Sequence, residues 1–312
     1  MLPTCARILV METRSFLGIN HSSCICGCPS RFQSSGIVVS SVYSRERNQE
    51  YSLLECTDCG VLRTDPFPKA EELQKIYEND YAYSFHDAVA VEKGSRARSL
   101  LKYLVREAGT SDIIEFGSGA GILLNEATKL GMGVLGIELS KNAGNALPFF
   151  LKNKLIHSSA ENFLEECEAI SSTVVLSHTL EHFLKPDEVL QRIFLKMNYG
   201  ESLVIVVPNR KNCLGKNRNK FWGYWQVPVH TYHFDRESLE ALVKSVGFIP
   251  IKVSYRSGDF LSKGLFVSNL LKLKGSSIPN RNIFKLISFF SRIWSRFYRL
   301  GRSDLILISR KQ

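Results

Sequence analysis

Residues 112–124 constrain the fold more than any other stretch. A short β-type run, Asp112–Phe116, opens directly into Gly117-Ser118-Gly119-Ala120-Gly121, and a helical start, Ile122-Leu123-Leu124, follows at once. Glycine at alternate positions lets the chain turn sharply and lets backbone N–H groups approach a ligand with no Cβ in the way. Glu138 closes the next β-type run, 17 residues after Gly121. An acid at that place can accept both hydroxyls of a ribose. The bland alternative is a glycine turn at a strand-to-helix junction with a surface glutamate.

From Asp112 onward, short apolar runs alternate with helical segments, the pattern of a parallel sheet covered by helices. The runs predict strands over Asp112–Phe116, Val134–Glu138, Leu155–Ser158, Thr173–Ser177, Leu203–Val207, Ile249–Tyr255 and Leu305–Ser309. Helices are expected at 122–130, 142–152, 161–167, 187–198, 236–246 and 283–300. Seven strands in this order make a full doubly wound α/β sheet. Before it, a helix starts at Lys69, and a second over 96–108 places Leu100, Leu101, Leu104 and Val105 on one face. A chain of 312 residues, 44% hydrophobic and 22% charged, supports a large domain plus an appendage and excludes disordered and collagen-like classes.

The appendage is set by cysteine position, since five of the eight cysteines (Cys24, Cys26, Cys28, Cys56 and Cys59) fall within 36 residues. Such clustering reads as metal in a reducing compartment. Residues 21–68 also carry β-type runs (Ile37–Tyr43, Tyr51–Leu54) and end at Asp65-Pro66-Phe67-Pro68, so a metal-held hairpin module is expected there. The expected division is a cysteine-rich module over 21–68, a helical linker over 69–111 and the main domain over 112–312. The net charge of +10 is localised too, because residues 252–312 hold 13 Lys and Arg against Asp259 and Asp304. The main body is near neutral. No run of 18 apolar residues occurs, and Arg7, Glu12 and Arg14 interrupt the N-terminal one, which predicts a soluble, cytoplasmic protein.

Three later segments carry a family resemblance. These are Val174-Val175-Leu176-Ser177-His178-Thr179-Leu180-Glu181-His182 with Lys185-Pro186-Asp187; Val204-Ile205-Val206-Val207-Pro208-Asn209; and Val227-Pro228-Val229-His230-Thr231-Tyr232-His233-Phe234 with Gly247-Phe248. With the glycine turn, they resemble class I S-adenosylmethionine-dependent methyltransferases over roughly residues 94–260 plus the last strand. The resemblance implies a doubly wound, seven-stranded Rossmann-like methyltransferase sheet and S-adenosylmethionine as cofactor. It implies that Glu115, Gly117, Ser118, Gly119 and Gly121 hold the methionine part and ribose and Glu138 the ribose hydroxyls. Leu139, Ser159, Ala160 and Ser177 complete that set. Many relatives carry Asp where this chain has Ser159, a weaker acceptor for the adenine amine.

Cys56-Thr57-Asp58-Cys59-Gly60, followed by Pro-x-Pro and a helix, is similar to the front module of a methyltransferase subgroup. The resemblance implies a small zinc-ribbon-like module and an acceptor from sugar, nucleotide-sugar or polysaccharide chemistry. The usual first knuckle is replaced by Cys24-Ile25-Cys26-Gly27-Cys28. A tetrahedral Zn²⁺ needs four soft ligands; Cys56 and Cys59 supply two, and two come from Cys24, Cys26, Cys28 or His21. A degenerate knuckle of free buried thiols is the alternative.

Methyl transfer from a sulfonium needs an aligned acceptor and, for an alcohol, a group that takes its proton. His178, at the carboxyl end of a central strand, is the first candidate base and His230 the second. Glu181 reads as orienting a loop or a neighbouring histidine. Trp222, Tyr224, Trp225, Tyr232 and His233 form an aromatic strip that can stack on a flat ligand or a sugar face, or else pack as core. Over 283–300, Ile, Leu, Phe and Trp interleave with Lys and Arg, giving an apolar face rimmed by cations. That face suits peripheral contact with an inner membrane surface, packing on the sheet or a dimer contact, and it is too apolar to track nucleic-acid phosphates. Two further readings stand beside methyl transfer: a degenerate scaffold that kept the sheet, and an NAD-dependent sugar oxidoreductase. The latter lacks the Tyr-x-x-x-Lys relay it would need after the fourth strand.

Overall fold

The computed structural model describes residues 24–27, 31–41, 43, 49–79, 87–145, 147–212, 222, 224–256 and 303–312. His21, Cys28 and the expected basic helix over 283–300 lie outside the described residues. No helix among those described is long and apolar enough to cross a membrane.

The main sheet is built from β4 (Asp112–Phe116), β5 (Gly133–Glu138), β6 (Leu155–His157), β7 (Thr173–Ser177), β8 (Ser202–Pro208), β10 (Ile249–Arg256) and β11 (Asp304–Arg310). They stand in the order β10-β11-β8-β7-β4-β5-β6. The strands from β6 to β8 pair in parallel, and β11 runs against both of its neighbours. Side chains on successive residues point to opposite faces, and here both faces are apolar. Leu176, Ile205, Val207 and Leu305 face one layer, of α5 (Ala160–Glu166), α6 (Pro186–Lys196) and α7 (Arg236–Val246). Val175, Val204, Val206 and Ile306 face α2 (Asp87–Ala108) and α3 (Ile122–Lys129). Burial on both faces explains why these strands read as continuous β-branched runs.

The seven expected strands are all present, while two helical expectations need correction. The helix expected over 142–152 is two pieces, α4 (Lys141–Asn145) and a 3-10 turn over Phe149–Lys154. Pro148, extended at ψ 143°, separates them, because its ring removes a donor and restricts the preceding residue. On α2 the buried stripe is Ala97, Leu100, Leu101 and Leu104, and Val105 is exposed.

The N-terminal region forms a second, four-stranded antiparallel sheet, β1-β2-β3-β9. Its strands are β1 (Phe32–Ser40), β2 (Glu50–Cys56), β3 (Leu62–Asp65) and the two-residue β9 (Tyr232–His233). The fourth strand therefore comes from far along the chain: Leu62 pairs with His233 and Arg63 with Tyr232. Cys24, Ile25, Cys26, Cys56 and Val61 share one apolar cluster with Phe116, Leu176 and Phe234, so the sheet edge is packed against the main core.

Arg210 ties the two sheets electrostatically. Its Nη2 lies 2.6 Å from Asp235 Oδ2 and 3.1 Å from Glu55 Oε1, and it donates to the Gly60 carbonyl. Asp235 also caps α7 through a reciprocal bond with Ser238. Burial pushes the Asp235 carboxyl up, but Arg210, Ser238 and Lys211 outweigh it and hold the group below its ordinary range. Arg210→Leu leaves a buried carboxylate with Lys211 as its remaining cation, so a loss of about 2–4 kcal/mol is expected by urea unfolding. Glu55→Gln, at the more exposed end, is expected to cost under about 1 kcal/mol. Equal costs for the two variants would contradict the buried linkage.

Candidate active site

A cleft of about 1530 Å³ opens at the carboxyl ends of β4, β5 and β7, where the strand order reverses. Open α/β sheets bind ligands at such a switch point. One half is lined by Glu115, Gly117, Ser118, Gly119, Glu138, Leu139, Ser159 and Ala160; the other by Ser177, His178, His182, Tyr224, Gln226 and His230.

The glycine turn is sterically required. Gly117, Gly119 and Gly121 all have positive φ. A Cβ on Gly117 would meet Thr179 at 2.6 Å, and one on Gly121 would meet Leu147 at 2.2 Å. Gly121 does not line the cleft; it is the N-cap of α3. Glu138 is folded over the turn, accepting from Gly119 N at 2.8 Å through Oε2 and from Ser140 N at 2.7 Å through Oε1. Ser159 Oγ accepts from Asn162 N at 3.1 Å and so caps α5 while lining the cleft. A nucleoside and an amino-acid chain fit this half: glycine backbone is bare of Cβ, and two buried polar atoms, Glu115 Oε2 and Ser118 Oγ, have no hydrogen-bond partner.

The other half is dominated by imidazole. His178 has φ 55° and Gln226 φ 40°, the two non-glycine residues with positive φ among those described, and both line the cleft. Strained backbone of this kind concentrates at functional sites. His178 is 37% exposed, stacks on Tyr224 with ring centroids 6.2 Å apart, and places Nε2 4.0 Å from Asp304 Oδ2. His182 and His230 meet edge to face at 4.7 Å. Burial lowers the pKa of both; for His182 the neighbouring Glu181 opposes this, whereas for His230 the other imidazoles add to it.

The aromatic strip is divided. Tyr224 lines the cleft, whereas Trp222, Trp225, Tyr232 and His233 are buried outside its lining. Trp222 and Trp225 pack with Tyr51, Leu53 and Leu62 of the N-terminal sheet. Tyr232 packs on Phe67 and Phe234, and burial pushes its phenol pKa up. His233 lies against Thr64 Oγ1 at 3.2 Å, with burial and Arg210 pushing its pKa down to about 3. Tyr77, on the helix Ala70–Asn79, places its hydroxyl 3.0 Å from His182 Nδ1, a contact not anticipated from the sequence.

Outside the cleft lining, the thiols of Cys24, Cys26, Cys56 and Cys59 lie within 4.8 Å of one another. Cys24 Sγ and Cys59 Sγ are 3.7 Å apart. A tetrahedron with metal–sulfur bonds of about 2.3 Å has sulfur–sulfur edges of about 3.8 Å. The hydrogen bond with Cys24 lowers the Cys59 pKa to about 6, and the same bond raises that of Cys24.

Burial, with the Glu138 charge adding to it, raises the Glu115 pKa well above the ordinary glutamate range. From about pH 4.3 up to that raised value, the native state holds a proton that the unfolded chain has released. Stability therefore falls as pH rises through this window. In Glu115→Gln this component of the pH dependence is expected to vanish, measured by urea unfolding from pH 5 to 8. An unchanged slope would show that Glu115 is ionised in the native state.

Residues 91–253, slightly more than half of the chain, match a family model described as a methyltransferase domain. A solved S-adenosylmethionine-dependent methyltransferase from Archaeoglobus fulgidus is 21% identical, covering 69% of this chain and 94% of that one, with a TM-score of 0.46. A plantazolicin methyltransferase in complex with a triazolic desmethylPZN analogue and SAH is 14% identical, over 77% and 94%, with a TM-score of 0.49. Magnesium protoporphyrin IX methyltransferase from Synechocystis, with bound S-adenosylmethionine, is 11% identical, over 77% and 89%, with a TM-score of 0.44. No curated protein matches the chain.

Proposed function

The chain belongs to the methyltransferase-domain family and is an S-adenosylmethionine-dependent methyltransferase, and from that premise we propose that its acceptor is a small polar molecule: a sugar, nucleotide-sugar or lipid-linked glycan. One observation carries the reading. The glycine turn with Glu138 and the imidazole group with Tyr224 line the same cleft, and its volume accommodates a cofactor and a compact acceptor together.

When bound, S-adenosylmethionine supplies a methyl group already activated on a sulfonium. Gly117, Ser118 and Gly119 would offer backbone and hydroxyl contacts to its amino-acid part, and Glu138 would accept from its ribose in exchange for bonds now made to Gly119 and Ser140. Leu139, Ala160 and Ser159 would hold its adenine. His178 takes the acceptor proton. Its exposed imidazole, held over Tyr224 at the end of β7, stands where the acceptor enters. His230 is the second imidazole of the acceptor side, while Trp222, Trp225, Tyr232 and His233 brace the wall from behind.

The chain divides into a cysteine module over 21–68, a helical linker over 69–111 and the catalytic domain over 112–312. A structural Zn²⁺ is held by Cys24, Cys26, Cys56 and Cys59, in keeping with the sulfur spacing. Cys56→Ser is expected to lose one equivalent of zinc by elemental analysis and to lower the melting temperature; unchanged zinc content would dismiss this site.

Titration calorimetry with S-adenosylhomocysteine tests the cofactor site. Wild type is expected to bind one equivalent, and Gly119→Val or Glu138→Ala to bind at least about tenfold more weakly, a loss of about 1.4 kcal/mol or more. Absence of binding by folded wild-type protein would reject the assignment. Given binding, transfer of label to nucleotide-sugars but not to peptides would support the acceptor class.

A further inference from the structure

We infer that a second, cationic groove between α2 and β10, which runs into the cleft, holds the diphosphate of the methyl acceptor. The groove has a volume of about 610 Å³. Its use by the acceptor rests on the methyl-transfer reading; its capacity for a diphosphate does not.

The register of α2 makes one wall. Ala97, Leu100, Leu101 and Leu104 are buried against the sheet. Residues three and four apart share a helix face, so positions 95, 98, 99, 102, 103 and 106 form the neighbouring stripe, and all six line the groove. Arg98, Lys102 and Arg106 are exposed there, each four residues from the next. At 1.5 Å rise per residue they span about 12 Å, longer than a single phosphate and suited to a diphosphate with its flanking groups. Like charges at this spacing repel one another, and an anion laid along them removes that penalty.

The opposite wall is β10, an edge strand of the main sheet. Ser254 and Arg256 lie on one face of it and pair in register with Ile306 and Asp304 of β11. Ser254, Arg256 and Ile306 all line the groove. Arg256 reaches across to α2, where Nη2 donates to Ser99 Oγ and Nη1 lies 3.5 Å from the Arg96 carbonyl. A fourth cation, partly buried, therefore faces the three on the helix, an arrangement that an ordinary solvated helix face does not need.

The charges are not cancelled locally. Among the described residues, no carboxylate lines the groove. Glu126 is shared by Arg98 and Lys129, at 2.7 Å from each, and Glu107 by Arg106, at 2.8 Å, and Lys252. Two acids thus serve four cations, the ion pairs are exposed at their basic ends, and a guanidinium has five donors to share. Lys102 has no ion-pair partner among the described residues. In the same wall, the buried Tyr103 hydroxyl has no hydrogen-bond partner. A concave surface lined by one sign of charge concentrates the opposite ion, and arginine's planar fork matches phosphate oxygens.

Ser95, Ser99 and Arg256 line the groove and the cleft alike, so the two are continuous. On the cleft side of this junction Asp304 Oδ2 lies 4.0 Å from Arg96 Nη2 and 4.0 Å from His178 Nε2. An acceptor whose phosphates rest on α2 therefore directs its other end toward His178. Sugars activated on a nucleotide and sugars carried on a lipid share the diphosphate that this groove recognises.

Titration calorimetry on the full chain tests the groove with two probes, uridine diphosphate glucose and farnesyl diphosphate. At least one is expected to bind one equivalent, and which one binds identifies the nucleotide or the lipid source. Lys102→Glu and Arg106→Glu are expected to weaken that binding at least about tenfold, whereas Lys152→Glu, an equal change of charge outside the groove lining, leaves it within about twofold. All three variants are expected to bind S-adenosylhomocysteine like wild type. Circular dichroism checks each fold; should Lys102→Glu misfold, Arg106→Glu decides. The proposal is overturned if neither probe binds folded wild type, if the folded groove variants bind as tightly as wild type, or if Lys152→Glu weakens binding as much as they do. Should S-adenosylhomocysteine fail to bind wild type while the groove variants alone lose the diphosphate, the methyl-transfer reading falls and the groove's affinity stands.

Discussion

The buried threonine at 231 is the point on which the cleft and the second sheet both hang. Its amide and hydroxyl hold the Glu181 carbonyl, and its hydroxyl also lies 2.8 Å from the Phe183 carbonyl. In the other direction, its own carbonyl accepts from Thr64 N at 3.0 Å, and Thr64 Oγ1 donates to the His230 carbonyl at 2.7 Å. Each of these groups is out of water, so each bond replaces one that solvent can no longer make. The imidazole wall, the turn after β7 and the pairing of β3 with β9 thus share one set of main-chain contacts. A valine would copy the shape of Thr231 but take the hydroxyl donor from the Phe183 carbonyl and leave the Glu181 carbonyl with the amide alone.

Electrostatically the cleft is divided along its length. At one end Glu115 and Glu138 stand close enough for the charge of one to bear on the other, and the Gly119 amide donates to Glu138. At the other end, neutral imidazoles gather around a buried carboxylate, with backbone held in an uncommon conformation at His178 and Gln226. Ser177 and Thr179 lie between the two. Thr179 Oγ1 donates to the Phe116 carbonyl at 3.0 Å, so β4 and the turn after β7 keep a fixed separation across the site.

Much of this was legible in the residues. The strands of the main sheet are short β-branched runs because both faces are covered, and the glycine turn announces itself by composition. The stop at Pro148 was overlooked because apolar residues on either side keep a helical spacing, although the ring forbids the bond that would join them. The fourth strand of the N-terminal sheet had no local sign at all: two residues make no periodicity, and their partner is some 170 positions earlier. The tryptophans at 222 and 225 could be read as ligand platforms or as core, since both uses want a large flat surface, and the face of β1 and β2 they cover is fixed only by tertiary packing. The cysteines were narrowed to a few choices by ligand number, and the chain path brings Cys24 and Cys26 to Cys56 and Cys59. Glu181 was read as a loop-orienting acid because its burial depends on Thr231, which the linear order does not reveal.

The late arrival of β9 bears on how the chain is made. The first three strands of the small sheet leave the ribosome well before the residues that complete it, and at about 5–20 residues per second the interval is roughly 10–30 s. During that time β3 presents an open edge, and the apolar face later covered by Trp222 and Trp225 is bare. The large sheet has the same property, because β11 inserts between β8 and β10 from the far end of the sequence. Neither layer can close during most of translation. A nascent chain of this design offers unpaired strands to holding chaperones for longer than its size alone would suggest, and its small sheet can close some 70 residues before β11 completes the large one.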